Sequence, residues 1–114
     1  MSERRIPPAE LAKAISMAVR TGKVLLGSKS AIKAAKLGKA KLIVVAENCP
    51  AHVRADIEYY SRLSGIPVVE FGGSSWDLGQ VCGRPHMVAA ITIRDPGLSR
   101  ILELVEERRG EEVA

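Results

Sequence analysis

The run Leu42-Ile43-Val44-Val45-Ala46 contains no polar position, and three of its five residues are β-branched. A strand with one buried face alternates apolar and polar side chains, whereas a strand that does not alternate is covered on both faces. The run therefore predicts an inner strand with helices packed on each side of the sheet. It is far too short to cross a bilayer, which takes about 20 apolar residues in a helix.

The rest of the chain supplies the covering helices. After Pro7-Pro8, Leu11, Ile15, Ala18 and Val19 fall at helical spacing, and Gly22 can close that helix near Arg20. Lys23 to Leu26 is short, apolar and flanked by glycines, which predicts a buried strand. Ser28-Lys29-Ser30 offers capping oxygens for a helix from Ala31 to Leu37, stopped by Gly38. Pro50 opens a third helix in which Val53, Ile57, Tyr60 and Leu63 repeat at helical spacing before Gly65. Ile66 to Phe71 reads as a strand. Ser74 and Asp77 have the spacing of a capping box for a short helix through about Cys82, which Trp76 is expected to pack down. His86 to Arg94 predicts a fourth strand, stopped by Asp95-Pro96-Gly97. A last helix carries Leu98, Ile101, Leu102 and Val105, and the charged tail 106–114 is expected to fray.

These elements predict a three-layer α/β/α sandwich around a small four-stranded mixed sheet. At 114 residues with 46% hydrophobic side chains, a single domain with one core is expected. The N-terminus is charged with no apolar segment behind it, so export is not expected and the cytoplasm is. Cys49 and Cys82 have neither CxxC spacing nor a histidine pair, which argues for two reduced thiols and against a metal cage. No metal and no cofactor are expected. Asn48 and Gln80 are the sole residues of their types, a depletion that suggests a hot habitat.

The net charge of +4 hides an asymmetry. Residues 1–46 carry ten Lys/Arg against two Asp/Glu, and residues 47–114 carry seven against eleven. A positive half of a small domain is what a polyanion footprint looks like, although single charge runs more often only solvate a helix face. Ligands of α/β sheets bind beyond strand ends, where loops and helix N-termini converge. Here those places are Gly27 to Ser30, Glu47-Asn48 and the loop at Gly83.

Each place offers chemistry suited to RNA and a plainer structural role beside it. Gly27-Ser28-Lys29-Ser30 joins a strand to a helix, so backbone can approach a phosphate at the helix N-terminus; alternatively the glycine turns and the serines cap. Lys29, Lys33 and Lys36 recur at i, i+4 and i+7 as one basic stripe from that end, or merely solvate an alanine-rich helix. Asn48 can read a base edge or serve as a turn residue. In Gly83-Arg84-Pro85-His86, the guanidinium can meet phosphate while Pro85 and His86 offer surfaces to a splayed base. His86 has no nucleophile or carboxylate partner nearby in sequence. Gly22, Gly27 and Lys29-Ser30 come near GxxxxGK[ST], but Ser28 separates glycine from lysine and the intervening residues read as a strand. A nucleotide-binding module or small enzyme on the same fold would need groups that the chain does not offer.

The segments TGKVLLGSKSAIKAAKLGKAKLIVVAENCP, DIEYYSRLSGIPVVEF, LGQVCGRPH and ITIRDPGLSRIL together resemble the archaeal and eukaryotic large-subunit ribosomal protein L-thirty-e family over about residues 9–105. That resemblance implies a non-catalytic RNA-binding protein of the cytoplasmic ribosome, monomeric when isolated. Its partners would be kink-turn rRNA of the large subunit and neighbouring ribosomal proteins. It further implies that Gly27, Ser28, Lys29 and Ser30 meet the RNA beside tandem sheared G·A pairs, with Lys33 on phosphates. Asn48 would touch a base or sugar, and Gly83, Arg84, Pro85 and His86 would hold a flipped-out nucleotide. Two departures stand out. The wider kink-turn group often has Asn-Glu at Lys29-Ser30, and some members have an aromatic residue at His86. A related kink-turn protein acting outside the ribosome is the neighbouring alternative.

Overall fold

A computed structural model describes residues 8–99 and 101–103. Helix α1 (Pro8–Thr21) leads into β1 (Lys23–Leu26), α2 (Ser28–Leu37), β2 (Leu42–Val45) and α3 (Ala51–Ser64). Then follow β3 (Val68–Glu70), α4 (Ser75–Val81) and β4 (Ala90–Asp95), with residues 101–103 again helical. The tail 106–114 and Val105 lie outside the described residues.

The strands form one sheet in the order β1-β4-β2-β3, with β2 and β3 parallel and β4 antiparallel to both β1 and β2. The apolar run of β2 is buried at every position, and its side chains divide between two cores. Leu42 and Val44 join Leu11, Ile15, Leu78 and Ile101 on the face covered by α1, α4 and residues 101–103. Ile43 and Val45 join Ala31, Ala35 and Ile57 on the face covered by α2 and α3. The period-two geometry of a strand sends alternate side chains to opposite faces, so two helical layers follow directly from a non-alternating sequence.

Several boundaries differ from expectation. Ser28 and Ser30 lie inside α2 rather than capping it, because Gly27 is the N-cap residue and no side chain bonds there. Strand β4 begins at Ala90, not His86: the Val88 N–H is taken by the Ser75 carbonyl at 2.9 Å, which holds residues 86–88 against α4 and away from the ladder. Leu98 is exposed in a turn ahead of the terminal helical residues, and Leu63 is exposed on the outer face of α3. Trp76 does not pack α4 down; it is half exposed, and buried Leu78 does that work. The capping box forms as expected, with the Ser74 hydroxyl accepting from the Asp77 N–H and the Asp77 carboxylate accepting from the Ser74 N–H. Among the described residues, no helix is long and apolar enough to cross a membrane.

Candidate nucleic-acid interface

One end of the sheet brings together Gly27 to Ser30, Asn48 and the Gly83–His86 turn, and four hydrogen bonds hold it together. The Gly27 N–H donates to the Ala90 carbonyl at 2.9 Å, tying the start of α2 to the start of β4. The Ala46 N–H donates to the Ala89 carbonyl at 2.8 Å, tying the end of β2 to the same segment. Ser75 is the hub: its N–H donates to Asn48 Oδ1 at 2.7 Å and its carbonyl accepts from Val88. The α2 start, the β2 end, the α4 start and the segment before β4 therefore form one surface.

Gly27 has φ +108° and ψ 157°, a conformation essentially closed to residues with a Cβ, while the space around it is open. The glycine is needed for its backbone, and its consequence is electrostatic. A glycine N-cap supplies no side-chain oxygen, so the first N–H groups of α2 keep no intrahelical acceptor and point at whatever lies beyond the sheet. No acidic residue occupies the first turn. Helix dipole and open donors make this end a place for an anion. Lys29 and Lys33 are exposed beside it, while Ser28 and Ser30 are half-buried.

The basic stripe is not uniform. Lys36 Nζ sits 5.0 Å from the Tyr60 ring centroid, in a cation–π contact with α3. That ring is braced edge-on by Tyr59, with centroids 5.1 Å apart. Lys36 therefore supports the α2–α3 packing more than it extends the site.

Asn48 stands in the turn that follows β2. Its carbonyl oxygen anchors Ser75, so the side chain is fixed and the amide NH₂ is the part left to contact a ligand. The turn at Gly83 is built by the end of α4. Gly83 has φ +75°, its N–H donates to Gln80, and the Arg84 N–H donates to Gly79 at 2.9 Å, a left-handed helix closure. That closure turns Arg84, Pro85, His86 and Met87 outward, and all four are exposed. His86 Nδ1 lies 3.4 Å from the Met87 carbonyl, a weak local contact. Beneath the turn, α4 comes close: a Cβ on Gly79 would stand 2.0 Å from the His86 carbonyl oxygen.

Three participants escaped sequence reading. Ser75 and Gly79 organise the surface through backbone contacts, and no one-dimensional pattern reports a partner 27 positions away. Met87, 68% exposed, adds an apolar patch beside His86 where a strand residue was expected. Burial raises the pKa of Cys82 to about 11, with Arg84 opposing it, and that of Cys49 also rises through burial. Both thiols are thus held neutral and unreactive. Among the described residues, no group of three His, Cys, Asp or Glu side chains could hold a metal ion.

Comparison with known sequences decides the kinship. The pattern of the Ribosomal protein L7Ae/L30e/S12e/Gadd45 family matches residues 9–103, nearly every described residue. The chain belongs to that family. Among its L7Ae/L30e/S12e/Gadd45 relatives, the large ribosomal subunit protein eL30 of Methanopyrus kandleri is 50% identical over 92% of this chain and 96% of its own. The protein of the same name from Methanocaldococcus jannaschii is 50% identical over 96% of this chain and 99% of its own. A solved structure of a protein with unknown function from Bacillus halodurans C aligns with TM-score 0.72 and 25% identity. It covers 84% of this chain and 96% of its own, so the same fold is held by a chain of well-separated sequence.

Proposed function

We propose that this chain is a structural constituent of the large ribosomal subunit, acting in the cytoplasm, that binds and stabilises a kink-turn in large-subunit rRNA and catalyses no reaction. One observation carries the reading. In a chain half identical to large-subunit eL30 proteins, the open N-terminus of α2, the anchored Asn48 and the exposed Gly83–His86 turn meet at one sheet end.

The chemistry follows from the charge problem of a sharp bend. Kinking a duplex crowds its phosphates, and a surface that offsets their repulsion binds the kinked state best and so raises its population. The N–H groups of Ser28, Lys29 and Ser30 with the Lys29 and Lys33 ammonium groups do this beside the sheared G·A pairs. Gly27 lets backbone approach closely. The Asn48 NH₂ contacts a base or sugar, and Gly83, Arg84, Pro85 and His86 hold the flipped-out nucleotide. With His86 in place of a larger aromatic ring, stacking there is lighter and Arg84 carries more of the grip. In isolation the single domain is a monomer; in the ribosome it touches neighbouring proteins.

The test is titration of a kink-turn RNA against the purified protein, beside a control whose sheared G·A pairs are Watson–Crick pairs. Tight, salt-sensitive binding to the kinked RNA alone supports the reading. Equal binding to both reduces it to generic attraction for polyanions. Co-sedimentation with large subunits separates a ribosomal component from a kink-turn protein of another particle.

A further inference from the structure

The positive charge near α2 does not end at the sheet end described above. Ser30, Lys33, Ala34 and Leu37 form one wall of an open cleft of ≈330 Å³, completed by Leu25 of the edge strand β1, Lys39 and Arg94. At 100° per residue the four α2 positions span a sector of about 100°, which is one face of the helix. Lys33 thus turns toward β1, while Lys36 turns toward α3 and Tyr60.

Three cations face this cleft and no carboxylate lines it. Lys33, Lys39 and Arg94 form no ion pair among the described residues. Asp95 follows Arg94, but its Oδ1 accepts from the Gly97 N–H at 2.9 Å. On the α3 side, by contrast, Arg54 is engaged at 3.2 Å by Glu58 and at 3.6 Å by Glu70. Unneutralised positive charge therefore collects on the β1 side of α2. Leu25 and Leu37, both exposed, give the cleft apolar ground on which ribose carbons can rest.

We propose that this cleft is a second RNA-contact surface, holding the phosphate backbone of one duplex arm as it leaves the kink. The inference rests on the kink-turn reading and adds to it a direction: the arm runs along the β1 side of α2, not along α3. Two features make RNA the fitting occupant. Ser30 and Lys33 belong at once to the cleft and to the surface at the α2 start, so the charge is continuous. The ten residues of α2 also extend about 15 Å, room for a short run of successive phosphates of one strand.

The experiment compares the unaltered chain with Lys39→Gln/Arg94→Gln on three RNAs sharing one kink: one with both arms long, and two with a different arm cut short. Affinities are measured from about 50 to about 200 mM salt, a range over which two phosphate contacts account for about tenfold in affinity. Both altered residues are exposed, and thermal melting verifies that the double variant is folded. The expected result is a salt slope shallower by about 2 on the long-armed RNA. That difference should vanish when one particular arm is shortened and persist when the other is. Discrimination against the Watson–Crick control should be unchanged. An unchanged slope with discrimination intact would overturn the cleft and leave the kink-turn reading standing; if large-subunit association fell at the same time, the cleft would pass to an acidic protein neighbour. Failure of the unaltered chain to discriminate would instead overturn the kink-turn reading, and the arm assignment with it.

Discussion

Gly79→Ala sets a local rule against a tertiary one, and the structure decides the sign. In a helix interior alanine is favoured over glycine by about 1 kcal/mol, so propensity alone predicts a gain. The new methyl, however, would lie 2.0 Å from the His86 carbonyl oxygen and 3.1 Å from its carbon. Reaching ordinary contact near 3.4 Å takes a movement of about 1.4 Å. Helix α4 has no room to retreat, since Leu78 is fully buried under α1 and Ser75 is tied to Asn48 and Val88. The displacement falls on residues 83–88. Overpacking costs about 1–3 kcal/mol, and losing the Val88–Ser75 bond costs about 1 more. Against the propensity gain, the variant should be less stable by about 1–3 kcal/mol, or about 4–12 °C in melting temperature. RNA affinity should fall about tenfold or more, because the moved turn carries Arg84, Pro85 and His86. Calorimetry and RNA titration measure both, with Gln80→Ala as the control at an exposed position on the same helix. A melting temperature that rises in Gly79→Ala, with RNA binding unaffected, would refute the close approach of α4 to the turn.

Asn48 separates support from contact: Asn48→Ala should cost about 1 kcal/mol of stability through the lost Ser75 bond, whereas Asn48→Asp should keep the acceptor and the stability yet weaken RNA binding by charge repulsion. An Asn48→Asp variant that binds normally would remove Asn48 from the interface. Lys29→Ala should lower RNA affinity by about 1–3 kcal/mol with no change in melting. Lys36→Ala should do the reverse, losing about 0.5–1 kcal/mol of stability with its Tyr60 contact and only slightly reducing the salt slope; equal, negligible effects on RNA binding of the two would put the interface on another face. Burial raises the Cys82 pKa from 9.0 to about 11, so its contribution to stability is complete below 9.0 and is lost as pH rises toward about 11. Denaturant titrations from neutral to alkaline pH, compared with Cys82→Ser, should show the extra alkaline loss only in the unaltered chain. A melting midpoint in the ordinary mesophile range would count against the hot habitat that the scarcity of Asn and Gln suggests.

How much of this was legible beforehand depended on the range of the interaction. The unalternating Leu42–Ala46 run announced two covered faces, and the two cores divide its side chains accordingly. The capping box at Ser74 and Asp77 was equally readable, because both partners lie within one turn. Met87 and Val88 are as apolar as the strand that follows, and the Ser75 carbonyl, by taking the Val88 N–H, holds them out of the ladder. A helical wheel placed Lys29, Lys33 and Lys36 in one stripe, yet Tyr60 on another helix draws Lys36 aside. Hydrophobicity points Trp76 and Leu63 inward, yet both are exposed while Leu78 and Ile57 on the same two helices are fully buried. Of the candidate interface, the sequence offers the residue types, and the bonds that fix their relative positions appear only in the fold.

The place of β4 in the sheet has a consequence for synthesis. Among the described residues it is the last strand to be made, yet it lies between β1 and β2, which do not pair with each other. Until residues 90–95 leave the translating ribosome, β1 has no ladder partner and Gly27 has no carbonyl to hold the start of α2. Chains grow from the N-terminus, and contacts of such long sequence separation close late. An unfinished chain can carry all of Gly27 to His86 and still present no assembled grip. A chain that stops before residue 90 therefore lacks the Ala90 and Ala89 carbonyls that hold Gly27 and Ala46 at this end of the sheet.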